Sequence, residues 1–248
     1  GLYGAIGGWV IAVGLILGLL AGTLLALLFE NVDTLLYSTR QVEKVTNTPT
    51  LGRIPVSRRR VDVAALGDNF ALAEAYRRLR VNISAATSDL AMHKLRFVSA
   101  EPREGKSTVI ANLASVIGQS EQRAVVVDCD LRRPQQHELF GLTNKIGLSS
   151  VLQGKTALED AVRTTRLPGV SVLSSGPAPA NPAELLASPH LYELLNTLAE
   201  QYDYVLIDTP AMQAVADASF LVPAVDGVLM VVGRRQVKQE SVRSALEQ

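Results

Sequence analysis

The chain has 248 residues, 48% of them hydrophobic, and 24 basic side chains balance 24 acidic ones for a formal net charge of +0. That length admits one ordinary domain plus an extra segment, and the balanced charge excludes a general nucleic-acid binder, which carries a basic excess. The single cysteine, Cys129, excludes an intrachain disulfide and places the globular part in a reducing compartment.

The excess hydrophobicity lies at the front. Residues 2–29 carry no charged side chain, and Thr23 is one of the few polar breaks. At about 1.5 Å per residue such a run crosses a hydrocarbon core of roughly 30 Å, so residues 1–29 are expected to form a transmembrane helix. A signal peptide would be shorter, with a basic start and a small-residue cleavage site. The chain opens at Gly1 without a methionine, which reads as the cut end of a longer parent. Arg40, Lys44, Arg53 and Arg58-Arg59-Arg60 all follow the span, which predicts that the C-terminal part is cytoplasmic. Gly14, Gly18 and Gly22 are spaced by four, with Ala26 continuing the row. They form either a face for close helix packing or the ordinary glycine content of a membrane helix.

Residues 30–66 read as a juxtamembrane connector holding Pro49, Pro55 and the three arginines. That basic run either rests on anionic lipid, at roughly 1 kcal/mol per arginine, or is a solvated loop. Residues 67–248 read as the main domain. The pattern is helical over 69–86. Apolar runs at 95–99, 124–127, 170–173, 204–207 and 228–232 then alternate with helical patterns at 107–118, 157–163, 183–200 and 214–221; 239–247 is again helical. The strands are near-continuous apolar runs, as expected for strands covered on both faces. Their alternation with helices predicts a parallel α/β sheet. The proline-rich stretch 176–182 is expected to be a loop entering a helix.

The chemistry concentrates at strand ends. After the apolar run ending at Ser99 comes Ala100-Glu101-Pro102-Arg103-Glu104-Gly105-Lys106-Ser107-Thr108. Such a loop wraps backbone N–H groups around nucleotide phosphates; Lys106 reaches the outer phosphates and the Ser107 hydroxyl holds Mg²⁺. The helix N-terminus behind it adds partial positive charge. Ala100 stands where the first glycine of G-x-x-x-x-G-K-[ST] is expected. Asp128 and Asp130 end one strand and Asp208 another, in the crevice where α/β folds bind ligands. Phosphoryl transfer needs carboxylates and hydroxyls for the metal and a base near the accepting hydroxyl. These residues supply both.

These motifs resemble those of the bacterial tyrosine kinases of capsular and exopolysaccharide synthesis. The loop at 99–107 is similar to that family's Walker A, and Val126-Val127-Asp128-Cys129-Asp130-Leu131-Arg132-Arg133-Pro134 to its additional Walker A′ motif. Ile207-Asp208-Thr209-Pro210 resembles Walker B, and Gly176-Pro177 with Asn181-Pro182-Ala183-Glu184 the loop and helix between. The span followed by Leu51-Gly52-Arg53-Ile54-Pro55 resembles the end of a polysaccharide co-polymerase module. The resemblance implies a P-loop NTPase-type parallel sheet with flanking helices, preceded by one transmembrane helix. It implies ATP and Mg²⁺ as cofactors and tyrosine autophosphorylation coupled to polysaccharide export. Asp130 and Asp208 would hold the metal with Ser107, and Asp128 would orient or deprotonate the tyrosine; Asp128 and Asp130 are able to exchange these roles. Lys106→Met is expected to abolish phosphotyrosine without unfolding the chain. Glu74, Arg77 and Arg80 resemble the family's E-x-x-R-x-x-R element, which implies contact with a neighbouring subunit of a homo-oligomeric ring. Further implied partners are the membrane, the polysaccharide polymerisation and export machinery and a cognate tyrosine phosphatase. The implied location is the bacterial inner membrane, with the kinase domain cytoplasmic.

Two departures stand out. Arg103 occupies the place of the family's usual loop glycine, where a side chain either crowds the phosphates or, turned outward, adds a favourable charge. The family's C-terminal tyrosine cluster and last core strand are expected to lie beyond Gln248; Tyr202 and Tyr204 read as core residues. Among rival readings, a positioning or partition ATPase would carry a signature lysine where Glu101 stands. An iron–sulfur scaffold would need paired cysteines. A membrane-anchored structural regulator of polymer length, with ATP binding driving assembly, is the remaining alternative.

Overall fold

The computed structural model describes residues 13–24, 38–56, 63, 66, 69–87, 93–212, 224–233 and 237–246. Its centre is a six-stranded sheet in the order β3-β4-β2-β5-β1-β6. The strands are β1 (Lys94–Ser99), β2 (Ala124–Asp128), β3 (Arg163–Thr164), β4 (Val170–Leu173), β5 (Tyr204–Asp208) and β6 (Gly227–Val231). All neighbours run parallel except β3, a two-residue antiparallel edge on β4.

The expected strands are all present, and the reason for their unbroken apolar runs is visible. Successive side chains of a strand point to opposite faces. Val126 and Leu206 join one core with Leu95 and Phe97, while Val125, Val127, Val205 and Ile207 join another. The first face is covered by α2 (Phe70–Thr87) and α3 (Lys106–Gly118), through Leu72, Tyr76, Ile110, Leu113 and Ile117. The second is covered by α8 (Pro189–Gln201), through Leu191, Leu194, Leu195 and Leu198. Helix α3 runs so close to the connection before β4 that a Cβ on Gly118 would stand 2.0 Å from the Pro168 carbonyl oxygen. No side chain fits there.

Other boundaries differ from the sequence pattern for local reasons. The helical run at 183–200 is broken into α7 (Pro182–Leu186) and α8. Pro189 has no N–H to continue α7 and instead sits in the first turn of α8. The run at 157–163 is only α6 (Leu158–Ala161), because Arg163 already pairs with Val172 as β3. The short helices α4 (Gln136–Leu139) and α5 (Leu148–Leu152) had no periodic signal. The expected helix at 214–221 and the arginine run at 58–60 lie outside the described residues.

The connector is more ordered than a loop. Ser38 caps α1 (Thr39–Thr46) in a reciprocal capping box with Gln41. Val42 and Val45 pack against a cluster containing Val98, Ala100, and Val242 and Ala245 of α9 (Gln239–Leu246). Leu51 and Ile54 then pack against the α2–α3 core, and Asn82 Nδ2 donates to the Leu51 carbonyl at 2.7 Å.

Of the expected transmembrane stretch, residues 13–24 are described and are helical. No helix among the described residues is long and apolar enough to cross a membrane. Leu15, Ile16, Leu17, Leu19, Leu20 and Leu24 of this helix are exposed, and nothing lies within 4 Å of a Cβ placed on Gly14, Gly18 or Gly22.

Candidate active site

The C-terminal ends of β1, β2 and β5 bring the expected groups together. β1 delivers the loop 100–105, and α3 starts directly behind it at Lys106. The first intrahelical bond of α3 runs from the Val109 N–H to the Gly105 carbonyl, and Gly105 supplies no side-chain cap. The N–H groups that open the helix therefore have no intrahelical acceptor. Gly105 is left-handed at φ +90° with open space where a Cβ would stand. A bare helix start with such a glycine is suited to receiving anionic oxygens. It fits a nucleotide's phosphates.

The loop itself is braced by two carboxylates. Glu104 is buried, accepting from the Glu101 N–H and from the Gly233 N–H just past β6, each at 2.7 Å. Burial raises its carboxyl above the usual range. Glu101 accepts from Ser241 Oγ of α9 at 2.8 Å. Sequence reasoning placed both glutamates among phosphate-cradling residues, whereas their side chains tie the cradle to β6 and α9. Ala100 is fully buried in the small cluster beneath. Pro102 and Thr108 are exposed at the rim.

Arg103 is exposed and left-handed at φ +71°. That conformation costs an L-residue roughly 1–2 kcal/mol, which is why glycine is expected at this place. Arg103→Gly is expected to raise the Tm of the nucleotide-free chain by about 2–4 °C per kcal/mol recovered, partly offset by glycine's freedom when unfolded. Thermal denaturation followed by circular dichroism checks it; a lower Tm would show that the arginine side chain contributes more than its backbone costs.

Opposite the loop stand the strand-end acids. Asp128 and Asp208 are register partners on adjacent strands, both buried. Lys106 makes a buried ion pair with Asp208 Oδ1. Gln136 Nε2 donates to Asp208 Oδ2 at 2.6 Å and to the Ser107 carbonyl at 3.2 Å. Asp128 accepts three backbone N–H bonds: Oδ1 from Asp130 at 3.2 Å, and Oδ2 from Gln135 at 3.1 Å and Gln136 at 3.0 Å. Burial first, and then the Asp208 charge, push its carboxyl well above the usual carboxylate range. Burial likewise pushes the Cys129 thiol up. Asp130 is half-buried and accepts the Arg133 N–H at 2.9 Å. It caps the turn at the mouth of the site. Sequence reasoning missed Gln136 altogether. The one available signal was its place two residues after the Arg-Arg-Pro turn that follows Asp130.

Among the described residues, no three His, Cys, Asp or Glu side chains gather to hold a metal. Mg²⁺ is usually held by one or two carboxylates together with substrate phosphates and water, and the serine hydroxyl and strand-end carboxylates present here are donors of that kind. Ser107 and Asp208, linked through Gln136, are the residues that would hold it, with Asp130 within the same strand-end group.

A family model described as an AAA domain matches residues 103–247. Tyrosine-protein kinase YwqD of Bacillus subtilis (strain 168) is 42% identical over 175 residues, covering 71% of this chain and 74% of that protein. The chain belongs to the bacterial tyrosine-protein kinases. Among family members, tyrosine-protein kinase ptk of Acinetobacter johnsonii is 34% identical over 238 residues, 91% of this chain but 32% of that protein. This chain thus spans about a third of that relative's length. The kinase domain of Escherichia coli tyrosine kinase ETK superposes with a TM-score of 0.78 at 31% identity, covering 84% of this chain and 86% of that one.

The remaining expected residues lie apart from this crevice. Glu74 pairs within its own helix, to Arg78 at 3.2 Å and Arg77 at 3.7 Å. Arg80 reaches Gln122 at 3.4 Å and is half-buried. The three share a helix, yet Arg80 leans inward while Arg77 stays exposed. Tyr204 is buried and Tyr202 half-buried, so both are core-facing as expected.

Proposed function

We propose that this chain is the cytoplasmic kinase portion, with its membrane-proximal segment, of an ATP-dependent protein-tyrosine autokinase that regulates polysaccharide polymerisation and export. The observation carrying this reading is the Lys106–Asp208–Gln136–Asp128 constellation at a bare helix start, in a chain of the tyrosine-kinase family. Lys106 leaves Asp208 Oδ1 for the outer phosphates, and Asp208 and the Ser107 hydroxyl are the groups that would then hold Mg²⁺. When bound, Mg²⁺ supplies charge neutralisation on the phosphate oxygens. Asp128, held rigidly by three N–H groups and with its basicity raised, takes the proton of the attacking tyrosine hydroxyl. Asp130, nearer solvent, would hold the metal directly or through water.

The exposed apolar helix at 13–24 supports a membrane-spanning segment, and with it an inner-membrane location. The connector docked on α2, α3 and α9 would hold the kinase close to that membrane. The relatives' names include a tyrosine-protein kinase EpsB and one in a cps region, which supports the polysaccharide setting. A polymerisation and export machinery and a cognate phosphatase are the partners this reading implies.

Two experiments bear on it. The purified chain, given ATP, Mg²⁺ and a Glu-Tyr copolymer, is expected to yield phosphotyrosine that requires both. ATP turnover with no phosphotyrosine would instead favour a positioning ATPase. Transfer between ring neighbours is tested by changing Glu74, Arg77 and Arg80 together to alanine in the tail-bearing parent. Truncating one partner of a desolvated interfacial charge pair costs about 2–5 kcal/mol. The expected result is a smaller oligomer by light scattering in detergent, less phosphotyrosine and intact ATP binding. An unchanged oligomer with unchanged phosphorylation would show these residues to be a solvated face.

A further inference from the structure

Gln136 is fully buried, although it opens a helix of only four residues. Three of its groups bear on the site. Its backbone N–H holds Asp128 at 3.0 Å. Its side-chain Nε2 bridges Asp208 Oδ2 at 2.6 Å and the Ser107 carbonyl at 3.2 Å. Its Oε1 is buried without a hydrogen-bond partner among the described residues. A buried amide left half-satisfied costs free energy, and a packing role alone would be filled by Leu or Met. The amide stays because of what Nε2 holds.

The two oxygens of Asp208 have different kinds of partner. Oδ1 is held by Lys106, a cation that anionic phosphates attract away. Oδ2 is held by an amide that carries no net charge for the phosphates to draw away. A carboxylate held only by Lys106 would be free to rotate once the lysine turned to a nucleotide. Held by Gln136 as well, it keeps its orientation. The same amide also touches the backbone of Ser107, whose hydroxyl is the other metal-holding group. We propose that Gln136 is a positioning residue that fixes Asp208 and Ser107 relative to each other, so that a divalent cation finds its protein ligands in place after Lys106 has moved to the phosphates. This rests on the reading of the site as one for a Mg²⁺–nucleotide complex.

The test is equilibrium binding of a fluorescent ADP analogue, measured in EDTA and in saturating Mg²⁺, for the wild-type chain and for Gln136→Met. Methionine keeps the side chain's length and removes its donor. Loss of a group that orients a metal ligand typically weakens metal binding by about 10- to 100-fold. The factor by which Mg²⁺ tightens nucleotide binding should fall by that amount, while the Kd in EDTA stays within about twofold and Tm drops only by the few degrees that removing one donor from Asp208 costs. A Mg²⁺ enhancement equal to that of the wild type overturns the proposal. So does a roughly tenfold or greater loss of affinity in EDTA, which marks a purely structural side chain. If Gln136→Met does not fold, Gln136→Asn is judged by the same two criteria, since its amide falls one methylene short of Asp208. Failure of the wild-type chain to bind nucleotide under either condition would sink the functional reading itself, a result distinct from failure of this inference.

Discussion

Lys106→Met is expected to abolish phosphotyrosine formation and also to destabilise the nucleotide-free chain. Lys106 and Asp208 have 8% and 1% of their side-chain surface exposed, and they form a direct ion pair. Removing one partner of a buried pair leaves an uncompensated charge and costs about 3–5 kcal/mol. Here the charge left behind is Asp208, already beside the Asp128 carboxyl. Gln136 remains as its donor, which places the expected cost toward the lower end. At roughly 2–4 °C per kcal/mol for a domain of this size, the fall in Tm is about 6–12 °C. Thermal denaturation without nucleotide measures it, with circular dichroism confirming a folded variant at low temperature. A Tm equal to that of the wild type would mean that the pair is not formed in the free protein. Residue type alone assigns the lysine to phosphate; the structure gives it an occupation beforehand, so the variant is expected to stay folded but to be less stable.

Asp128→Asn separates chemistry from binding. Loss of a positioned general base slows transfer by about 10²–10⁴-fold. Nucleotide binding should persist, because phosphate contacts belong to the loop and Lys106. The variant also changes the pH dependence of stability. Burial and the neighbouring Asp208 charge raise the native Asp128 carboxyl above the value near 3.9 that it takes when unfolded. Between those two values the native chain binds the proton and the unfolded chain does not. Stability from this group is therefore greatest in acid and is lost as pH rises through the raised native value. Asparagine carries no such titration, so its stability should decline less as pH rises from about 4 through the raised native value. One of the three backbone N–H groups loses its acceptor on substitution, at about 1–3 kcal/mol, so the slopes are compared and not the absolute Tm values. A wild-type slope retained in full by the variant would assign the titration elsewhere, Glu104 being the other buried carboxyl with a raised value.

The sheet was legible because burial on both faces leaves a direct trace. Runs such as Ala124–Asp128 and Tyr204–Asp208 stay apolar until the functional acid. Lys106, Asp128 and Asp208 were legible because each ends such a strand or opens the following helix. The rest depended on contacts distant in sequence. Gln136 meets Asp208 across 72 positions, and Glu104 meets Gly233 across 129; no periodicity marks either. The helix inside the connector left no trace in the sequence because eight helical residues with two valines carry little signal. Its apolar side chains become meaningful only against α9 and the α2–α3 core. Pro189 was visible in the sequence, but a proline two residues past the C-cap of one helix is also a favoured start for the next.

The account turns on an exchange: Lys106 holds Asp208 in the free chain and releases it to bind phosphate. A crystal structure of the chain with Mg²⁺ and a non-hydrolysable ATP analogue tests this most directly. The expected result is Lys106 Nζ on phosphate oxygens and away from Asp208, with Gln136 still on Asp208 and Asp128 still held by the N–H groups of residues 130, 135 and 136. Nucleotide bound in the loop with Lys106 still paired to Asp208 would contradict it.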